Sequence, residues 1–165
     1  FLLTTPNQAL ILHYARIALN NKQGVNTMRQ VTENAVNAFK ADGNFCGSNT
    51  NVVTYRSTTE MLLHMHVIAH KHKGEVSISL SGWNTVTTRE RLNGLLRVYN
   101  RPYGISSRQG QAHLVWFDDK KQHKKPIDDS EFYTLAELDA MTGLYDAIPN
   151  PKTENDHAIN AQLGA

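Results

Sequence analysis

The chain has 165 residues, 40% of them hydrophobic and 8% aromatic, which suits a folded domain of ordinary size and excludes an intrinsically disordered composition. Its single cysteine, Cys46, excludes an internal disulfide framework, and no run reaches the roughly 20 apolar residues of a spanning helix, so no membrane association is expected. The formal net charge of +2 hides an asymmetry: residues 1–127 carry 16 basic against 7 acidic side chains, and residues 128–165 carry 1 against 8. A basic body points to a polyanionic partner, with the acidic end as an internal competitor or a partner-binding element. Mutual attraction of the two parts is the competing explanation. The lack of disulfides favours an intracellular setting, and a start at Phe1 leads us to expect a processed or trimmed chain.

Two helices are expected first. Over residues 6–20, Leu10, Leu12, Tyr14, Ile17 and Ala18 thicken one side behind Pro6, which suits a first helical turn. Residues 28–41 follow Asn26 or Thr27 as cap and carry Met28, Val31, Ala35, Ala38 and Phe39 on one face, with Gly43 suited to the left-handed position past the last turn. After a polar connector at 47–51 the period changes. Val52-Val53-Thr54-Tyr55 reads as strand, and residues 61–72 alternate, with Met61, Leu63, Met65, Val67 and Ala69 on one face and Leu62, His64, His66, Ile68, His70 and His72 on the other. One long strand, or two shorter ones joined by a turn or bulge at 64–67, both fit. Lys73-Gly74 supplies a hairpin turn into a strand over 75–80.

The stretch 79–97 joins the clearest strand to the clearest helix through a turn bearing Trp83. Thr87 with Glu90 forms a capping-box signal for a helix over 88–99, whose buried face is Leu92, Leu95, Leu96 and Tyr99. Arg89, Asn93 and Arg97 fall at four-residue intervals on another face, with Arg91 between the two stripes. An exposed Arg/Asn/Arg stripe at a helix start is suited to phosphates and base edges; a solvated, ion-paired face is the alternative. Strand character resumes over 105–117, with Arg108-Gln109-Gly110 inside it as a bulge or close backbone approach. Residues 118–130 read as a polar loop presenting Lys120, Lys121, Lys124 and Lys125 around His123 at a hairpin tip, suited to a nucleic-acid backbone or merely to keeping a sheet edge soluble. Thr134 and Glu137 repeat the capping box and open a helix over 134–147, followed by a polar tail at 149–165.

These elements predict an α+β fold: two N-terminal helices, an antiparallel sheet of about five strands with one packed helix, and a short C-terminal helix. The expected organisation is one domain over 1–148, made of a helical part (1–46), a sheet-helix part (51–134) and the C-terminal helix (134–147). Leu63-His64, Ile68-Ala69, the hairpin glycine, Gly82-Trp83 and the run Thr87-Thr88-Arg89-Glu90-Arg91-Leu92-Asn93 resemble a motif of small tailed-bacteriophage proteins whose function is unassigned. The resemblance extends to the strand ending at Phe117 and implies a phage origin more than an activity. This chain carries Met65 where those proteins have a small residue.

The functional expectation is a small, non-enzymatic phage protein that binds nucleic acid, DNA or RNA, through Arg89, Arg91, Asn93, Arg97, Arg108, Lys120, Lys121, Lys124 and Lys125, located in the host cytoplasm. The alternative is a virion, assembly or host-interaction protein, oligomeric or bound to phage or host proteins. A second alternative is a metal-dependent enzyme using His64 and His66, since two imidazoles two residues apart on a strand lie within reach of one ion. Glycine-rich nucleotide loops, His-Glu-x-x-His, Gly-x-Ser-x-Gly and Cys-x-x-Cys pairs are missing, so no cofactor is expected.

Overall fold

The computed structural model describes residues 28–119 and 121–144; the helix expected over 6–20 and the tail expected over 149–165 lie outside them. Helix α1 (Gln30–Lys40) forms where Thr32, Ala35, Val36 and Phe39 recur at helical spacing, and all four are buried. Arg29, extended at φ −56° and ψ 142°, occupies the N-cap in place of Asn26 or Thr27, and no side chain caps the helix there. At the other end Asp42, not Gly43, takes the left-handed conformation (φ 54°). Gly43 N then donates to Ala38 O at 2.8 Å and Asp42 N to Phe39 O at 3.4 Å, a Schellman closure.

Asp42 is used there because its carboxylate has partners that a glycine lacks. It accepts from Thr59 Oγ1 at 2.7 Å and pairs with Lys71 Nζ at 2.7 Å. Lys71 is buried, only 8% exposed, and its ammonium donates to Phe39 O at 2.9 Å and Lys40 O at 3.0 Å. Those are carbonyls that a helix end leaves open, at the negative end of its dipole. A strand lysine therefore closes α1.

Strands β1 (Phe45–Gly47), β2 (Thr50–Tyr55), β3 (Thr58–Leu63), β4 (His66–His72) and β5 (Glu75–Ile78) form an antiparallel meander that α1 covers at β1 to β3. A separate antiparallel sheet holds β6 (Tyr103–Arg108), β7 (Gln111–Phe117) and β8 (Gln122–Pro126), and β9 (Tyr133–Thr134) returns to the first sheet beside β5. The class is α+β, with a six-stranded and a three-stranded sheet among the described residues where about five strands in one sheet were expected.

Turn chemistry explains that difference. His64 and Met65 both have positive φ (48° and 68°) and make a tight turn between β3 and β4, at a cost of about 1–2 kcal/mol for each residue that is not glycine. A register shift then falls at the Met61/Leu62 step. It leaves Ile68 as the extra residue and turns it into the core, 1% exposed, instead of onto the histidine face. The region 105–117 is likewise a hairpin, because Gln109 and Gly110 (φ 51° and 78°) turn β6 into β7. The expected loop at 118–130 contains β8, held by pairing with β7 and by Trp116 stacking on His123 at 5.5 Å.

Helix α2 (Val86–Val98) starts before the expected cap. Thr85 is extended and its Oγ1 accepts from Thr88 N at 3.1 Å, so Thr88 stands where the glutamate of a capping box would. Leu92, Leu95 and Leu96 are buried, and α2 contacts α1, β4 and β6. Gly94 makes the helix crossing close: a Cβ there would fall 2.7 Å from Thr32 Cγ2 and 2.8 Å from Met28 Sδ. The chain divides into two units, residues 1–135 and 136–165. Helix α3 (Leu135–Thr142) runs into the second and ends at Gly143 (φ 65°), short of the expected 147. Among the described residues no helix is long and apolar enough to cross a membrane.

Gly94→Ala is expected to lower stability by about 1–3 kcal/mol through overpacking, although alanine is the better helix former, and thermal melting reads the loss. Asp42 gives a pH signature. Hydrogen bonding from Lys71, then from Thr59, holds its carboxyl below the ordinary carboxylate range. A depressed folded value means the contribution is complete above the ordinary carboxylate value and is lost as pH falls through the folded one. Asp42→Asn should thus melt below the wild type at neutral pH, with the difference closing below about pH 4.

Candidate nucleic-acid interface

Four arginines lie at the start of α1 and along α2, and burial sorts them into two roles. Arg91 is one of the most buried residues in the protein, at 2% exposure. Its Nε donates to Thr50 Oγ1 at 3.0 Å, its Nη1 to Thr32 Oγ1, and its Nη2 reaches Asn49 Oδ1 at 3.5 Å. Thr32 in turn donates to Glu90 Oε1 at 3.1 Å, which also lies 3.5 Å from Arg91 Nη1. Burial pushes the Arg91 guanidinium below its ordinary value, and the adjacent Glu90 carboxylate opposes that push. Arg91, expected among the nucleic-acid-binding residues from its place between the two helix stripes, is instead an internal strut between α1, β2 and α2.

The other three line one cleft of about 490 Å³, with Val86, Glu90, Asn93 and Ser107 also contributing to its walls. Arg29 reaches in from the start of α1 and places its Nε 3.4 Å from Glu90 Oε2. Arg89 is half-buried, its Nη1 donating to Asn84 O at 2.9 Å and to Asn84 Oδ1. Asn84 itself donates to Gly110 O at 3.0 Å and Ser107 Oγ at 3.2 Å, so the position of Arg89 is tied to the β6–β7 hairpin. Arg97 is exposed, two turns along the same face. The cleft thus presents three guanidiniums against one carboxylate, and that carboxylate is already shared by Arg29 and Arg91.

Asn93 lies in the same wall but spends its amide on the fold. Its Oδ1 accepts from Ile105 N at 2.7 Å and its Nδ2 donates to Ile105 O at 3.0 Å, pairing with the strand edge as a neighbouring strand would. Its expected contact with base edges is corrected accordingly. Arg108 ends β6 beside the Gln109-Gly110 turn and is exposed, outside the cleft lining. The lysine-rich tip is also redrawn. Lys121 is exposed at the turn before β8, Lys124 and Lys125 are successive exposed residues of β8 itself and so point to opposite faces, and Lys120 lies outside the described residues. The β8 edge is two strand spacings from β6, about 9–10 Å.

Arg29 was missed because a residue one position before a helix carries no periodic signal. The histidines part company. His64 is in the β3–β4 turn and His66 opens β4, so the side-by-side strand geometry that motivated a metal reading is not formed; the neighbours at that spacing are His70 and His72, stacked at 6.3 Å. Among the described residues no three His, Cys, Asp or Glu side chains come together as metal ligands would.

Stability separates the two arginine roles. Arg91→Ala strands Thr50, Thr32 and Glu90 and should cost about 3–5 kcal/mol, as removal of one partner from a buried charged network does. Arg97→Ala should change stability by less than about 0.5 kcal/mol. Chemical denaturation of the two variants checks the contrast.

Among known proteins, the family model described as Kyanoviridae Gp96 protein matches residues 28–139, well over half of the chain. Neither a curated protein nor a solved structure matches it.

Proposed function

The chain belongs to the Kyanoviridae Gp96 family of phage proteins, and we propose that it binds nucleic acid, without catalysis, through the arginine cleft between α1, α2 and β6. The observation that carries this reading is the convergence of Arg29, Arg89 and Arg97 on one cleft in which, among the described residues, Glu90 is the one lining carboxylate and is already engaged. Guanidiniums held at the rim of a groove bind phosphate oxygens with paired donors. Arg89 is pre-positioned by Asn84, so little of its freedom remains to be lost on binding. The exposed Lys121, Lys124, Lys125 and Arg108 extend the positive field over the three-stranded sheet and favour encounter with a polyanion. Its setting is the host cytoplasm during infection.

A second reading has its own support. Val53 and Tyr55, alternate residues of β2, are 50% and 68% exposed on the sheet face away from α1, and such residues suit protein contacts in a virion or with a host protein.

Retention on DNA or RNA should weaken with salt, each phosphate contact contributing about 0.7–0.9 to the slope of log affinity against log salt. Arg29→Ala with Arg97→Ala is expected to reduce that slope by about 1.4–1.8 and to leave the melting temperature nearly unchanged. Absence of binding at low salt, together with a stable stoichiometric oligomer or protein complex, would replace this reading with the second.

A further inference from the structure

A second depression, of about 400 Å³, opens on another side of the α2 N-terminal turn, lined by Leu63, His64, His66, Ile68, Trp83 and Thr87 among others. Trp83 is its unusual member. The indole is 55% exposed, although a side chain of that size ordinarily gains most of its stabilising effect from burial. Its backbone is nevertheless well anchored. Ser81 and Gly82 have positive φ (51° and 78°), Trp83 N donates to Leu80 O at 2.8 Å, and Gly82 N donates to Asp129 O at 2.8 Å. The His66 ring lies 5.6 Å from the indole, tilted by 38°, and braces it. The other tryptophan, Trp116, is occupied by its stack on His123. Trp83 shares the depression with two buried apolar side chains, Leu63 and Ile68, at 4% and 1% exposure. Its rim is polar: Thr87 has a hydroxyl with no hydrogen-bond partner among the described residues, and the imidazoles of His64 and His66 are exposed.

We propose that this depression is a stacking slot for one unpaired nucleobase, so that the ligand of the protein is single-stranded nucleic acid. The proposal rests on the nucleic-acid reading above and specifies its substrate. A planar ring laid on Trp83 beside the apolar lining, with its edge toward Thr87 and the histidines, uses both the apolar and the polar side of the depression. The arginine cleft shares the same helix turn, contributing Val86, Arg89 and Glu90 where the slot contributes Thr85, Thr87 and Thr88. A strand crossing that turn places a base in one depression and phosphates in the other. Stacking platforms beside a cationic track are the recurring design of single-strand binders, because every base offers a π face. A neutral sugar would leave the arginines unused, and a duplex keeps its bases inside and would leave Trp83 unused.

The test uses the full chain carrying Trp116→Phe, so that Trp83 is the sole tryptophan, alongside the wild type. Three probes are titrated at low salt: an oligothymidylate, an abasic strand of equal length, and a duplex. Anisotropy of a label on each probe reads total binding, and indole emission reads the slot. The expected result is quenching of Trp83 by the oligothymidylate and about 5- to 100-fold tighter binding of it than of the abasic strand. Trp83→Ala should lose that preference and Trp83→Phe should keep most of it, with circular dichroism confirming that both fold. Equal binding of the abasic strand or the duplex, or unchanged indole emission at saturation, overturns the slot and leaves the arginine cleft standing. No binding of any probe overturns both.

Discussion

The arrangement of this protein depends on one buried cation. The Arg91 guanidinium is the group through which α1, β2 and α2 are tied, and its donors meet hydroxyl and amide oxygens contributed by Thr32, Thr50 and Asn49. Taking a guanidinium out of water is costly, and only a nearly complete set of acceptors and a nearby carboxylate offset it. Glu90 supplies that carboxylate from the neighbouring helix position. Because the acceptors must arrive together, the geometry of the two helices against the sheet is narrowly specified. Lys71 acts similarly at the far end of α1, where its ammonium meets Phe39 O, Lys40 O and Asp42. The two cations fasten α1 at both ends, to α2 and β2 through Arg91 and to β4 through Lys71.

That fastening sets where the open surface lies. With Arg91 turned inward and Gly94 letting α1 approach α2 closely, the faces of α2 that remain are the one carrying Arg89 and Arg97 and the one near Thr87. The first faces β6 and the start of α1, and the second faces Trp83 and the β3–β4 turn. Both depressions therefore border the same first turn of α2, whose N-terminal backbone donors add a partial positive charge between them. Asn84 and Asn93 fix the three-stranded sheet to this helix through Gly110, Ser107 and Ile105. The walls of the arginine cleft are consequently built from α2 and β6 tied together by these bonds.

The turn at His64-Met65 is the costliest local conformation in this neighbourhood, two successive positive φ values without glycine. It shortens what would be a twelve-residue strand and brings His66 against Trp83. The strain is sustained by six antiparallel pairs between β3 and β4, and its result is one wall of the second depression.

Much of the local structure was legible in the amino-acid order. The apolar periods at Ala35, Phe39, Leu92, Leu95 and Leu96, the Lys73-Gly74 hairpin and the β-branched runs each satisfy their own backbone with near neighbours, so pattern alone determines helix, strand and α+β class. The basic body that drew attention to Arg89 and Arg97 is also a property of composition. Tertiary structure decided which of the regularly spaced polar residues remain outside. Arg91 and Lys71 look like surface cations in sequence and are buried, while Arg29 carries no periodic mark and joins the cleft. The physical reason is that burial of a charge is set by whether acceptors converge on it, and the hydroxyl, amide, carbonyl and Asp42 oxygens that do so come from residues 29 to 59 positions away, where no local pattern reaches.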